Sequence, residues 1–84
     1  MNPLQIVTGP FALVHTGNAT YGYVLDDEMV QKRAEDAIDP YWGKPKIFER
    51  GIKGFGILLT ETGTILDIYK TEDDAAESIK RRLS

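Results

Sequence analysis

The glycines of this chain constrain its fold most strongly, because they interrupt segments that otherwise have the composition of β-strands. Gly17, followed by Asn18, separates residues 11–16 from residues 20–25, and both segments are rich in apolar and β-branched residues. A Gly-Asn step tolerates the positive φ angles of a tight hairpin turn. Gly22 lies inside the second segment, where a glycine marks a bulge, a bend or a close backbone approach, and we favour a bend. The spacing predicts a hairpin of sharply curved strands.

Further along the chain, the pattern predicts more strands. Residues 46–50 are extended, and residues 57–60 are expected to pair with residues 64–69. The three-residue loop between the last two segments ends in Gly63, at the position where a left-handed φ is required. Together with the first hairpin this makes about five antiparallel strands. We therefore expect a single domain over residues 1–84 that is mainly β, a small and strongly bent five-stranded barrel.

Two other segments have the apolar spacing of an amphipathic helix. In residues 28–38 the apolar side chains recur at i, i+4, i+7 and i+8, which predicts a possible middle helix capped by Asp26 or Asp27. Near the C-terminus, Thr71 and Asp74 have the spacing of a capping box, so a helix begins there. If both helices pack on one face of the sheet, the alternative fold is a two-layer α+β sandwich. The apolar face of the C-terminal helix comprises Ala75, Ala76, Ile79 and Leu83.

The composition limits how the chain can be stabilised. A chain of 84 residues buries only about 60% of its unfolded surface, and the absence of cysteine excludes disulfides and thiolate metal sites. We therefore expect self-association to supply part of the stability. The first residues lack the pattern of a signal peptide, and no apolar run reaches the roughly 20 residues that cross a bilayer. These features predict a soluble, cytoplasmic protein with no membrane partner.

The charges of the chain are segregated along its length. The formal net charge is −3, which argues against the overall basic character of a nucleic-acid-binding domain. However, residues 26–39 carry six acids and two bases, whereas residues 40–60 carry four bases and one acid. Such segments form neighbouring surface patches, or complementary patches that meet between subunits.

No residue pattern in the chain indicates catalysis. His15, the only histidine, alternates with Leu13 on a predicted strand, so a structural role is the better interpretation. Asp26, Asp27 and Glu28 lack the spacing of an EF-hand, and adjacent acids before a helix are ordinary caps. We therefore expect a protein that is not an enzyme and that uses no cofactor and no metal.

The best candidate for a binding surface is the stretch from residue 41 to residue 55, which interleaves aromatic and basic side chains. Single-stranded nucleic acid requires this combination, because bases stack on aromatic rings and cations neutralise phosphates. The competing interpretation places Phe48 and Phe55 in the core and leaves the cations as a solvated rim. On the binding interpretation, the phosphate contacts are Arg50, Lys53, Lys44 and Lys46, and the stacking residue is Trp42 or Tyr41.

The glycine spacing also extends into two short motifs. The first contains Gly17, Gly22, Asp26 and Met29, and the second is the pair Arg50 and Gly51. In residue type and order these motifs resemble those of the Sm and Sm-like (LSm, Hfq) family, whose members are strongly bent five-stranded barrels. Family members assemble into rings, and the two motifs meet at the central pore to bind single-stranded RNA.

The resemblance implies a ring-shaped homo-oligomer that binds single-stranded nucleic acid, RNA rather than DNA, and it adds Asp26, Met29 and Gly51 to the candidate site. Val30 stands where the family has its base-recognising asparagine, so the resemblance does not extend to a preference for uridine. The alternative function is a small α+β protein-binding or regulatory module with no nucleic-acid role.

Overall fold

The computed structural model describes residues 3–17, 20–38, 41 and 43–83, and the fold is mainly β. Within these residues, six strands form one antiparallel sheet and two helices pack against it. The elements are β1 (Leu4–Thr8), β2 (Phe11–Gly17), β3 (Thr20–Leu25), α1 (Val30–Ala37), β4 (Ile47–Ile52), β5 (Phe55–Leu59), β6 (Thr64–Tyr69) and α2 (Glu72–Leu83). The order of the strands across the sheet is β1-β5-β6-β3-β2-β4.

The mainly-β class is confirmed, but the six strands form an open sheet, so the predicted five-stranded barrel is not confirmed. The two outermost strands, β1 and β4, do not pair with each other. In the middle of the sheet, β3 and β6 share a single register pair, Tyr23 with Ile65. The additional strand is β1, a short apolar run that finds its partner, β5, far along the chain. Local sequence patterns do not encode such a long-range pairing.

The sheet nevertheless curls strongly, because a two-residue link joins strands that lie far apart in it. Only Gly9 and Pro10 separate β1 from β2, and such a link spans at most about 11 Å. Gly9 also donates its N–H to the carbonyl oxygen of Gly54, between β4 and β5, at 2.9 Å. The sheet therefore consists of two halves that turn towards each other. We call β2, β3 and β4 the first half-sheet, and β1, β5 and β6 the second half-sheet.

Phe11 fills the inner face between the two half-sheets. Its side chain is fully buried, and it lies so close to Gly56 that a Cβ on Gly56 would stand 2.8 Å from the Phe11 ring and 3.2 Å from Ile65. A close approach of this kind admits only glycine. The joint between the half-sheets thus depends on the large side chain of Phe11 and on the absence of a Cβ at Gly56.

Both helices cover the outer face of the curled sheet. According to the strand register, the residues under α1 and the residues under α2 lie on the same face of the sheet. Phe11 and Ile65 lie on the opposite face. This is the helix placement of the two-layer alternative, with a strong curl added. The buried cluster under α1 contains Ala12, Val14, Val30 and Ala34, and the one under α2 contains Leu4, Ile57 and Ala75.

The two hairpins and the two helices lie where the sequence predicts them, but the predicted cap of α1 by Asp26 or Asp27 is wrong, because the N-cap is Met29 and has no side-chain cap. Gly17 pairs with Thr20 at the end of the first hairpin, and Gly63 has a φ of 75° in the second. Asn18 lies outside the described residues. At α2, the N–H of Asp74 donates to the Thr71 hydroxyl at 3.1 Å, so the predicted cap is confirmed.

The predicted apolar face of α2 is correct only in part. Ala75 is buried and Ile79 packs against the same cluster, but Ala76 and Leu83 are exposed. The additional buried residue is Ser78, whose hydroxyl accepts a hydrogen bond from the Tyr69 hydroxyl at 2.8 Å. A serine can be buried here because Tyr69 of β6 supplies a hydrogen-bond partner for its hydroxyl.

Candidate functional site

The first candidate site joins the end of β3 to β4 through a carboxylate. Arg50 donates from Nε and Nη2 to Oδ1 of Asp26, at 3.1 and 2.7 Å. The N–H of Gly51 donates to the other carboxylate oxygen, Oδ2, at 2.7 Å. Gly51 adopts a φ of 69°, a left-handed conformation that suits glycine. The Asp26 carboxylate is therefore held by three hydrogen bonds.

Burial differs strongly between the two charged partners. The side chain of Asp26 is 8% exposed, whereas that of Arg50 is 59% exposed. The hydrogen bonds from the Arg50 guanidinium and from the Gly51 N–H hold the pKa of Asp26 below its usual value, and Asp26 in turn raises the pKa of Arg50. Both groups stay ionised at neutral pH, and their charges offset each other.

Asp26 comes from the acidic segment of the sequence and Arg50 from the basic one, so these segments meet within a single chain at this point. From the sequence, these two segments were expected to form neighbouring surface patches or complementary patches that meet between subunits. The fold brings together three of the predicted site residues, Asp26, Arg50 and Gly51. The opposed charges also mean that Arg50 is not an isolated cation for a phosphate.

The second candidate site is an aromatic cluster on the first half-sheet, formed by His15, Tyr21 and Phe48. The rings of Tyr21 and Phe48 meet edge to face with centroids 4.9 Å apart, and His15 lies 6.1 Å from Tyr21 and 6.2 Å from Phe48. Tyr21 is 56% exposed and Phe48 is 42% exposed. The ammonium group of Lys46 stands 5.2 Å from the centroid of the Phe48 ring. This aromatic cluster therefore combines exposed rings with a cation.

The register of the sheet assembles this cluster. His15 and Tyr21 are directly opposite each other on β2 and β3, and the N–H of His15 donates to the carbonyl oxygen of Lys46 at 2.9 Å. The pairing of β2 with β4 shifts between Leu13 and Val14. Such irregularities redirect side chains on a bulged strand.

Tyr21 was not singled out from the sequence, and His15 was assigned only a structural role. A signal for both was present, because the predicted Gly17 hairpin places residues 15 and 21 opposite each other.

The remaining predicted residues are dispersed over the surface. Lys53 lines a shallow depression together with Lys70 at the corner between β4 and β5. Lys44 is exposed before β4, and Tyr41 is 95% exposed. Met29, 48% exposed, precedes α1, where its N–H donates to Asp27 at 2.8 Å. Trp42 lies outside the described residues.

A cavity lies at the seam of the half-sheets, where β3 and β6 share one register pair. It has a volume of about 420 Å³ and opens beside α1, with walls from Val24 and Ile65 and polar groups from Arg33 and Thr64. None of the predicted binding residues lines it.

The described residues contain neither a cluster suited to a metal ion nor a helix suited to crossing a membrane. In residues 3–17, 20–38, 41 and 43–83, no three acidic, histidine or cysteine side chains stand close enough together to hold a metal ion. Over the same residues, neither helix has the length and apolar character needed to cross a bilayer.

Comparison with protein-family models, curated proteins and solved structures found no match to this chain. The geometry of its own residues therefore carries the functional argument.

Proposed function

We propose that this chain binds single-stranded nucleic acid on the first half-sheet, at the aromatic cluster and the cations beside it. The observation that carries this proposal is the exposed pair Tyr21 and Phe48 with Lys46 above the Phe48 ring. Bases stack on exposed rings regardless of sequence, and an adjacent ammonium group neutralises a phosphate. The role is binding without chemistry.

The predicted cations extend this surface along β4. A polymer that follows β4 from the aromatic cluster would have Lys46 at the start of the strand and Arg50 near its end. Arg50 is oriented by Asp26 and keeps most of its side chain exposed, with N–H groups left over for a phosphate oxygen.

Two finer expectations rest only on the resemblance to the Sm and Sm-like family. These are the preference for RNA over DNA and the assembly into a ring. Both statements are tested separately from the binding surface. Titration of labelled single-stranded RNA and DNA of equal length compares the polymers, and native mass measures the number of subunits.

The experiment is a titration by fluorescence anisotropy at two salt concentrations. Phe48→Ala should weaken binding about tenfold or more, because loss of one stacked base is worth about 1–3 kcal/mol. Lys46→Gln should weaken binding to all sequences and reduce the slope of log affinity against log salt by about 0.7. Leu66→Ala, a half-exposed apolar residue on β6, is the matched control and should bind like the wild type.

Two outcomes would contradict this proposal. The first is that the wild-type chain binds neither polymer at low salt. The second is that the Phe48→Ala and Lys46→Gln variants bind as tightly as the wild type.

The alternative, a protein-binding or regulatory module, has one observation in its favour, namely that both helices pack on the same face of the sheet, as it requires. Exposed aromatic rings also occur in protein interfaces. Binding to a protein at the aromatic cluster would depend weakly on salt, whereas each phosphate contact releases counterions. The salt dependence of binding therefore separates the two functions.

A further inference from the structure

The cavity at the seam of the half-sheets is a consequence of the sparse pairing between β3 and β6. Tyr23 and Ile65 form one register pair, and over the described part of the chain the two strands share no other. Helix α1 stands beside this gap, so β3, β6 and the helix together enclose the cavity. Gly22 lines it from β3 and contributes no side chain to fill it. The volume of about 420 Å³ is in the range of small-molecule sites.

The inner walls of the cavity are apolar. Val14 is fully buried and Ile65 is 6% exposed, and both line the cavity. Val14 belongs to the cluster under α1, so the cavity reaches the core of the first half-sheet. Val24 and Leu58, both half-buried, add to these walls. Because such walls offer water few hydrogen bonds, the inner part of the cavity suits the apolar body of a ligand.

The helical wall of the cavity carries a guanidinium group with unused donors. Arg33 lines the cavity with a side chain that is 36% exposed, and its Nη1 donates to Oδ1 of Asp27. Over the described residues, no hydrogen bond engages Nε or Nη2 of Arg33. These two atoms form the edge of a guanidinium that binds a carboxylate, and Arg50 uses the same two atoms to hold Asp26. Arg33 therefore keeps this edge for a further carboxylate.

The remaining polar groups of the cavity are compatible with an anion. Asp36 is the one acid among the described residues that line it, and it is 67% exposed and pairs with Lys32 at 3.5 Å. On β6, the Thr62 hydroxyl donates to the Thr64 hydroxyl at 2.8 Å, which leaves the Thr64 proton as a donor. The cavity thus has donors on both its helical wall and its strand wall.

From these observations we propose that the cavity binds a small monocarboxylate with an apolar body. Arg33 holds the carboxylate through Nε and Nη2, and the apolar body packs against Val14, Val24 and Ile65. Aromatic and aliphatic acids share this chemistry. The site goes beyond nucleic-acid binding and is independent of it, because none of the three rings of the aromatic cluster lines the cavity.

The test is a calorimetric titration of the full chain with two acids, phenylacetate and octanoate, and with their amides, phenylacetamide and octanamide. The wild type should bind at least one acid about tenfold or more tightly than its amide, because the amide has no charge for the guanidinium to bind. The acid that binds more tightly shows whether the natural ligand is aromatic or aliphatic.

The variant that isolates the carboxylate contact is Arg33→Gln. It should bind the acid no more tightly than the amide, while its affinity for the amide stays that of the wild type. Lys32→Gln is the matched control, because Lys32 is a 64% exposed cation of the same helix that does not line the cavity, and this variant should keep the preference for the acid. Phe48→Ala should bind the acid like the wild type, which separates this site from the nucleic-acid surface.

A second variant tests the apolar part of the site. Thr64 is exposed on β6, where an aromatic residue suits a strand, so Thr64→Phe should fill the cavity and abolish binding of the acid and the amide alike. Leu66→Phe makes a similar change on β6 outside the cavity and should bind like the wild type, and circular dichroism checks that both variants are folded. The proposal is overturned if the wild type binds neither acid, if it binds each acid and its amide equally, or if Arg33→Gln and Lys32→Gln lose the preference equally.

Discussion

The two half-sheets differ in the regularity of their strands. In the first half-sheet, the pairings of β2 with β3 and with β4 contain three register shifts, and α1 begins without a side-chain cap at Met29. In the second half-sheet, the pairings contain one shift, and Thr71 caps α2. The irregular half carries both candidate sites, and the regular half carries β1, an edge strand without charges.

The first half-sheet presents the candidate surface groups, whereas the second half-sheet has the more regular strand pairing. Bulges in the first half-sheet accompany the exposed aromatic cluster and the contact of Arg50 with Asp26, at the cost of regular hydrogen bonding. The second half-sheet keeps an outer strand, β1, in unbroken register with β5. A single curled sheet thus presents two different surfaces, joined by Phe11 and Gly56.

The largest expected effect concerns that joint. Phe11→Ala should lower the free energy of unfolding by about 3–5 kcal/mol, because it removes a fully buried ring between the half-sheets. Urea unfolding followed by circular dichroism measures the loss, and Phe11→Leu, which fills part of the space, should lose less.

The same unfolding curves show whether the half-sheets are independent. We expect one cooperative transition, because Phe11 contacts both halves. Two separate transitions in the wild type would break the comparison, since each half would then be a folding unit of its own.

A smaller effect distinguishes the two helices. Thr71→Ala should cost about 1 kcal/mol, because the N–H of Asp74 loses its hydroxyl partner, whereas Thr71→Ser should cost little. Met29→Ala, at the corresponding position of α1, removes no side-chain cap and should change stability less. Urea midpoints rank the three variants, and an equal loss for Thr71→Ala and Met29→Ala would remove this difference between the halves.

The smallest expected effect appears in the pH dependence of stability. The folded-state pKa of Asp26 is lowered by Arg50 and Gly51 from its usual 3.8. Its contribution is therefore present above about pH 4 and is lost as the pH falls through the lowered value. Asp26→Asn should be less stable at pH 7, and its stability should fall less steeply between pH 4 and pH 2.

The matched control for this prediction is Asp36→Asn. The Asp36 carboxylate is 67% exposed and pairs with the exposed Lys32 at 3.5 Å. Its removal should leave the pH dependence close to that of the wild type. A pH profile for Asp26→Asn identical to that of the wild type would show that the carboxylate does not stabilise the corner.

Prediction of the fold from sequence succeeded where interactions are local. The hairpin at Gly63, the cap at Thr71 and the helical spacing of residues 30–37 depend on neighbours a few residues apart. The strand number and the barrel were not confirmed, because β1 is recognisable as a strand only once it pairs with β5. That pairing is a long-range event whose loop-closure entropy no local pattern reveals.

Prediction of the site succeeded in part for the same reason. The motif residues Asp26 and Arg50 were singled out from the sequence, yet their hydrogen bonds depend on the order β3-β2-β4 in the sheet. The partners of Phe48 were missed, because His15 and Tyr21 approach it only across a shifted register. The assignment of these groups to nucleic-acid binding stays a proposal.

The sequence by itself determined the places where the backbone turns and where the C-terminal helix begins, because glycine conformations and capping hydrogen bonds act over a few residues. The tertiary structure alone decided that the sheet stays open, that Phe11 packs against Gly56, and that the acidic and basic segments meet at Asp26. Those features depend on which distant strands pair, and that choice is made by packing of the whole chain.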